Sequence, residues 1–530
     1  MNDLNDALNE NFSSTQIVEK KICKSHGGIV SAQNKIAACV GAKIMAKGGN
    51  AVDAAIATSY ALGIVEPWMS GIGGGGAMLI YNKNKGKTFS IDFGLRSPYS
   101  LRVSDYELVD GIANDLFPWR AVRNDINIHG PKSFAIPGLI EGTRIAFENF
   151  ATLSWEELLK PAIDLARRGP IVDWYTSLMI TGSAKFLNRY GSSKNRYFED
   201  GFPISTHWTG GNVTRLDFTS LSYTLESLSK NGPREFYDGR LARKIISDIQ
   251  AVGGDIQLSD FNNYKTRLAD AGTIAYGNTE INFAPGLTAG SSFAEALTII
   301  ARLKSNKNKE PNSLNYCQYA DTLNKVYERR FKSMGDKRIS HDTCTSHLSV
   351  IDKDGNIVSM TQTLLSVFGS KVTLPNSGIL MNNGIMYFDP EQGRPNSLQP
   401  GKKGLMNVCP SIGKNNRFSF GIGASGGRKI MPAVFQITSF LVDYEMNLEK
   451  AFRHPRIDAS GTNTVLLDRR LNHKTRSAIS EQYPIKIVRK NNYPFDFGCA
   501  NGVMRKNDVN FGITEEMSPW ADSISASEFT

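Results

Sequence analysis

Thr345-Ser346-His347-Leu348-Ser349-Val350-Ile351-Asp352-Lys353-Asp354-Gly355-Asn356-Ile357-Val358 is the stretch on which the fold turns. From Ser346 to Val358 polar and apolar residues alternate, the period of a half-buried strand, and Asp354-Gly355-Asn356 supplies a hairpin turn. A helix is predicted just upstream, from about Tyr316 to Met334, so Thr345 stands where loop and helix give way to strand. A threonine hydroxyl is a poor nucleophile alone. It becomes a good one as the first residue of a chain, because its own α-amine, with a pKa of ~7.7–8, is then a base beside it. Such a chain start requires a break before Thr345. The hydroxyl attacks the Cys344 carbonyl, and water hydrolyses the resulting ester. The plainer alternative is that Thr345 is a strand residue and nothing more.

Working outward, Ile36, Val40 and Ile44 recur at four-residue spacing and predict a helix over 31–47. Gly48-Gly49 ends it, and Asn50 caps an Ala-rich helix to about Ile64. Gly71 and Gly73 to Gly76 then precede a strand, Ala77 to Tyr81. Residues 130–260 read as mostly helical, with Leu139–Phe150 and Arg240–Val252 as examples. Residues 304–315 read as a loop. Phe418 to Gly423 reads as a strand running into Gly426-Gly427 and a helix from Arg428 to Leu441. The front is thus helix-rich and the back strand-rich, behind a loosely attached lead, residues 1–25.

Composition narrows the class. The chain has 530 residues, with 41% hydrophobic and 21% charged residues, which excludes a disordered protein. Lys+Arg 61 against Asp+Glu 51 leaves a net charge of +10, but no long basic block, so no nucleic-acid partner is indicated. No apolar run approaches the ~20 residues of a membrane span, and Met1 to Lys20 has no basic n-region or apolar core of a signal peptide. A cytoplasmic protein without a membrane partner is expected. The six cysteines form no CxxC pair and no disulfide framework.

Three other patterns invite chemistry. Gly71-Ile72-Gly73-Gly74-Gly75-Gly76 fits GxGxxG, but it lies between a helix and a strand, the reverse of a dinucleotide site, so a tight turn packed against something is expected. Gly423-Ala424-Ser425-Gly426-Gly427 fits GxSxG in the right context of strand, turn and helix. Ser425 is therefore the nucleophile of an alternative reading, an α/β-hydrolase-type esterase with Asp443 or Asp458 and His473. The rival use of the same residues is backbone: the Gly426 and Gly427 amides aimed at a developing negative charge. His341, Asp342, Cys344 and His347 cluster, yet a zinc site needs about four ligands with recognisable spacing, and no partner cluster exists elsewhere. No metal is expected.

Three stretches resemble the γ-glutamyltranspeptidase family of N-terminal-nucleophile hydrolases, in order and in spacing. The first is Gly48-Gly49-Asn50-Ala51-Val52-Asp53-Ala54-Ala55-Ile56-Ala57, with Val65-Glu66-Pro67 and Ser70 to Gly76. The second is Thr345 to Val350, with Asp352 to Asn356, Thr361-Gln362-Thr363, Phe368-Gly369-Ser370 and Gly378 to Asn383. The third is Ser425-Gly426-Gly427-Arg428. The resemblance implies an autoprocessed α+β protein with the four-layer αββα sandwich. It implies cleavage between Cys344 and Thr345 into a heavy subunit, 26–344 after the 1–25 lead, and a light subunit, 345–530. Thr345 is then the nucleophile, Thr363 its hydroxyl partner, and Gly426 and Gly427 the oxyanion hole. The implied partner is a small-molecule amide, with acyl release to water or to an amine. No cofactor is implied, and a dimer of processed protomers stays open.

The departures from the resemblance bear on substrate. The arginine of the family's Asp-x-Arg-Glu motif is Gly94 here, with Arg96 two residues on. An asparagine after the TxTL motif is Leu365, the Gln and Asp that hold an α-amino group are Gly384 and Tyr387, and the paired serines are Met406 and Asn407. The substrate side is therefore expected at Arg96, Asn383, Tyr387 and Asn407. An oxamate-type amidohydrolase or an acylase without γ-glutamyl specificity is the alternative. A relative that folds without catalysing is the other.

Overall fold

The hairpin read from residues 346–358 lies at the centre of the molecule. The computed structural model describes residues 18–113, 119–206, 213–303, 309–334, 344–461, 463–489 and 494–530. Fourteen of its strands form two seven-stranded sheets. In chain order they are β1 Cys23–Ser25, β2 Ile29–Ala32, β3 Gly75–Asn82, β4 Lys87–Phe93, β5 Leu268–Asp270, β6 Gly272–Tyr276 and β7 Thr279–Phe283. Next come β8 Cys344–Ile351, β9 Ile357–Leu365, β10 Ser411–Lys414, β11 Phe418–Ser425, β12 Cys499–Lys506, β13 Val509–Thr514 and β14 Asp522–Ser525. One sheet runs β14-β2-β8-β9-β3-β4-β5 and the other β1-β13-β12-β11-β10-β7-β6, with antiparallel neighbours throughout.

Period-two alternation assigns the faces. On β8 and β9, Leu348, Val350, Val358 and Met360 point outward into a core shared with helices α1 (Lys35–Ala46) and α2 (Ala51–Val65). On β11, Phe420, Ile422 and Ala424 point outward to helices α5 (Gly290–Leu303), α6 (Ser313–Met334) and α7 (Ile430–Asp443). Two further helices, α3 (Leu139–Phe150) and α4 (Trp155–Arg168), pack on the α1–α2 side. The order helix, sheet, sheet, helix is the αββα sandwich. The α2 helix is apolar nearly all round because it is covered on all sides, as such helices are.

The motif around Asn50 is explained by capping. The Asn50 side chain accepts from the Val52 and Asp53 amides, and the Asp53 carboxylate accepts the Asn50 amide at 2.8 Å. The buried Asp53 carboxylate also takes the Thr152 hydroxyl at 2.6 Å, tying α2 to the loop before α4. In the hairpin turn Asp352 accepts from the Asp354 and Asn356 amides, and its other oxygen takes the Ala51 amide at 3.1 Å.

Some boundaries differ from the sequence reading. The helix predicted from Ser31 starts at Lys35, because Ile29–Ala32 is a fully buried strand and Asn34 caps the helix behind it. The lead does not extend to residue 25: Cys23–Ser25 pairs with β13, and the Lys20 ammonium donates to the carbonyls of Ser518 and Ala521. The α6 helix begins at Ser313, inside the predicted loop, whose residues 304–308 lie outside the described residues.

Candidate active site

The pairing of β8 with β9 is irregular at one point, where β9 carries one extra residue. Cys344 is opposite Leu365 and Ser346 is opposite Gln362, so Thr345 alone faces both Thr363 and Leu364. Bulges of this kind re-aim side chains and gather at active sites. Thr345 is 4% exposed, and its hydroxyl donates to the Thr363 hydroxyl at 3.4 Å. That oxygen also accepts the Leu365 amide at 2.8 Å. Leu365 adopts φ +88°, which costs a non-glycine residue about 1–3 kcal/mol and is held here by the Thr363 bond. On the opposite face, Ser346 accepts from Ser70, and Gln362 bonds both Ser59 and Ser70, so the strand behind Thr345 is fastened to α2 and the loop after it.

The second sheet lies over this one through small residues. The inner face of β11 is Gly421, Gly423 and Ser425. A Cβ at Gly423 would sit 2.2 Å from the His347 ring, so that ring fills the space. His347 bonds Thr361 and Ser349 through its two ring nitrogens, and burial pulls its pKa down to about 3. It is a neutral packing residue. Running past His347, β11 ends at Ser425 beside the Thr345 end of β8. The chain then turns through Gly426 (φ +116°) and Gly427 (φ +57°), conformations that favour glycine. Among the described residues the Gly426 and Gly427 amides donate to no acceptor. Ser425 is fully buried, and its hydroxyl accepts from Gln33. The esterase triad is not assembled: His473 contacts Ser477, Asp443 takes Tyr276 and Ser439, and Asp458 takes Ser460.

The glycine run is a packing device. A Cβ at Gly73, Gly74 or Gly76 would lie 2.2, 2.3 or 2.1 Å from the carbonyl oxygens of Leu380, Thr363 and Thr361. The run therefore lets β3 approach β9 directly beside Thr363. Among the described residues no group of three or more His, Cys, Asp or Glu side chains is placed to hold a metal ion; His341 and Asp342 lie outside them.

The sequence model of the family described as Gamma-glutamyltranspeptidase matches residues 37–343 and 337–525. The chain belongs to that family. It is 30% identical over 480 residues to the Acylase ACY 1 proenzyme of Pseudomonas sp. (strain SE83), covering 84% of each. It is 29% identical over 482 residues to the Glutathione hydrolase proenzyme of Escherichia coli (strain K12), covering 81% of this chain and 80% of that one. The cephalosporin acylase from Bacillus halodurans shares the fold, with a TM-score of 0.83 at 21% identity over 98% of this chain and 99% of that one. The protein is a self-processing amidohydrolase of the N-terminal-nucleophile class, with the αββα architecture that the resemblance implied.

Neighbouring side chains fill the space at the positions that depart from the family pattern. A Cβ at Gly94 would meet the Met406 methyl at 2.6 Å and the Lys403 Cε at 2.8 Å. The Lys403 ammonium lies 2.6 Å from the Asp92 carboxylate. At Gly384 a Cβ would meet Ala135 and Leu95 at 2.6 and 2.7 Å, so no longer side chain fits there. Arg96 turns elsewhere and donates to the Gly401 carbonyl at 2.9 Å. Asn383 engages both amide hydrogens, with Ile128 and Ser366, and accepts the Ser366 amide. Tyr387 is buried under Gly404. Asn407 is 7% exposed, and its side chain makes no hydrogen bond among the described residues. Sequence reading missed Lys403 because it lies 403 − 94 = 309 positions from the glycine it covers. No helix among the described residues is long and apolar enough to cross a membrane.

Proposed function

We propose that the chain is cut between Cys344 and Thr345 and that Thr345 of the 345–530 light subunit hydrolyses amides whose acyl group carries a carboxylate but no α-amino group. The observation that carries this reading is the bulge at Thr345, where a buried hydroxyl bonded to Thr363 lies at the end of β8 approached by the Gly426-Gly427 turn.

In the precursor the Thr345 Oγ attacks the Cys344 carbonyl carbon, the C–N bond breaks, and the nitrogen leaves as the Thr345 α-amine. Water then hydrolyses the ester and frees the Cys344 carboxylate. In turnover the α-amine takes the Oγ proton as Oγ adds to the substrate carbonyl, and the Gly426 and Gly427 amides receive the oxyanion. The amine returns that proton to the leaving nitrogen, and water or an amine acceptor releases the acyl group. The heavy and light subunits stay together through the sheet in which β2, β3 and β4 of one flank β8 and β9 of the other.

The substrate class rests on the residues at the positions that depart from the family pattern. Lys403, paired with Asp92 at 2.6 Å, is a cation that a substrate carboxylate reaches by sharing it with that partner, and Asn407 keeps an unused amide. Nothing at Gly384 or Tyr387 offers a carboxylate for an ammonium group. This favours the acylase-like reading over a glutathione hydrolase. The test compares glutaryl-p-nitroanilide with γ-glutamyl-p-nitroanilide in wild type and Lys403→Met. Loss of a charge-assisted bond worth about 1.5–3 kcal/mol raises KM for the glutaryl substrate roughly 10- to 100-fold. Preferred turnover of the γ-glutamyl substrate, or an unchanged glutaryl KM in Lys403→Met, contradicts the assignment.

A further inference from the structure

The nucleophile candidate and the oxyanion turn stand on different sheets, and one side chain joins them. Gln33 comes directly after β2. Since Ala32 pairs with Leu348, antiparallel register puts Gln33 level with His347, two residues from Thr345. Its side-chain carbonyl accepts the His347 amide at 3.3 Å, and its amide donates to the Ser425 hydroxyl, one residue before Gly426. Gln33 is 3% exposed and Ser425 is fully buried, so water does not compete for these bonds.

From this we infer that Gln33 is a positioning residue, which sets the Gly426-Gly427 amides against the Thr345 hydroxyl by fixing the end of β11 to β8. The neighbouring inter-sheet contacts do not do this. The Asn501 amide reaches the His347 carbonyl at 2.7 Å, and Ser359 reaches the Ile422 carbonyl at 2.9 Å, but both act further from the turn. Gly426 and Gly427 have no side chain to anchor them, so the last side-chain contact before the turn is Ser425. This also accounts for a serine in the GxSxG pattern that is not a nucleophile. An oxyanion donor is worth about 10²–10³ in rate, and a displaced pair of donors forfeits part of that.

The inference rests on cleavage at Thr345, and the test separates the two. Four chains are compared: wild type, Gln33→Leu, Ser425→Ala and the double variant. The readouts are the rate of precursor cleavage and the kcat and KM for glutaryl-p-nitroanilide. Gln33→Leu and Ser425→Ala each break the same bond. Each is expected to lower kcat and the cleavage rate 10- to 100-fold with KM within about twofold, and the double variant to fall no further than either single one. Gln33→Glu is expected to recover most of the loss. In either protonation state a carboxyl accepts the His347 amide and exchanges a hydrogen bond with the Ser425 hydroxyl. Wild-type kcat in Gln33→Leu, or losses that multiply in the double variant, overturns the inference while leaving cleavage at Thr345 standing. If Gln33→Leu does not fold, Ser425→Ala decides alone, and full kcat in that variant overturns the inference.

Discussion

Replacing Thr363 by valine removes one oxygen atom and keeps the side-chain shape. The geometry ties three consequences to that atom. The Leu365 amide, which bonds that oxygen at 2.8 Å, is left buried without its acceptor, at a cost of about 1–3 kcal/mol. Leu365 also holds φ +88° against a preference of similar size, so the turn after β9 relaxes once the bond is gone. The Thr345 hydroxyl, 3.4 Å from the same oxygen, loses the group that orients it. If only about 1.4–2.8 kcal/mol of this reaches the reacting hydroxyl, cleavage and turnover each slow by about 10- to 100-fold. The assay is a time course of fragment appearance on denaturing gels after expression, with kcat then measured on the processed fraction. Thr363→Ser keeps the oxygen and is expected to behave within a few-fold of wild type. Thr363→Val that processes and turns over at the wild-type rate refutes the role given to this hydroxyl.

Packing and charge set three other outcomes. Glu66 is buried, one of its oxygens has no hydrogen-bond partner, and burial, aided by Asp173, pushes its pKa to about 8. The folded chain then keeps a proton that the unfolded chain releases, so this stability is complete below pH ~4.5 and is lost as pH rises through about 8. Denaturant unfolding at pH 5 and pH 9 should show Glu66→Gln losing less stability than wild type over that interval, by at most roughly 5 kcal/mol, and equal losses contradict the assignment. Gly74→Ala forces a Cβ to 2.3 Å from the Thr363 carbonyl; it should cost about 1–3 kcal/mol and impair cleavage, measured by thermal unfolding and by gel. Gly182→Ala, in an exposed helix position with open space around it, should instead gain about 0.5–1 kcal/mol in the same thermal assay.

Local chemistry was legible in the sequence, and distant contact was not. The hairpin of β8 and β9 shows in two-residue alternation around Asp354-Gly355, and Asn50 announces α2 through its side-chain bonds to the next turn. The glycines at 73 to 76 indicate close packing, though only the structure identifies the partner as β9. Short buried strands escaped: Ile29–Ala32 has four consecutive buried residues and so no alternation, and it runs straight into a helical pattern. The division of fourteen strands between two sheets depends on pairings hundreds of residues apart, such as β2 with β14. Gln33 and Lys403 were illegible for the same reason. Each is an ordinary polar residue in sequence and acquires a role only through what the fold brings against it.

The most direct test of the central claim is intact-protein mass spectrometry of the purified chain, wild type beside Thr345→Ala. The predicted result is two wild-type fragments that break between Cys344 and Thr345, with Thr345 as the first residue of the smaller one, and a single uncut chain for Thr345→Ala. A wild-type protein that stays whole under native conditions, or a Thr345→Ala chain cut at the same bond, contradicts it.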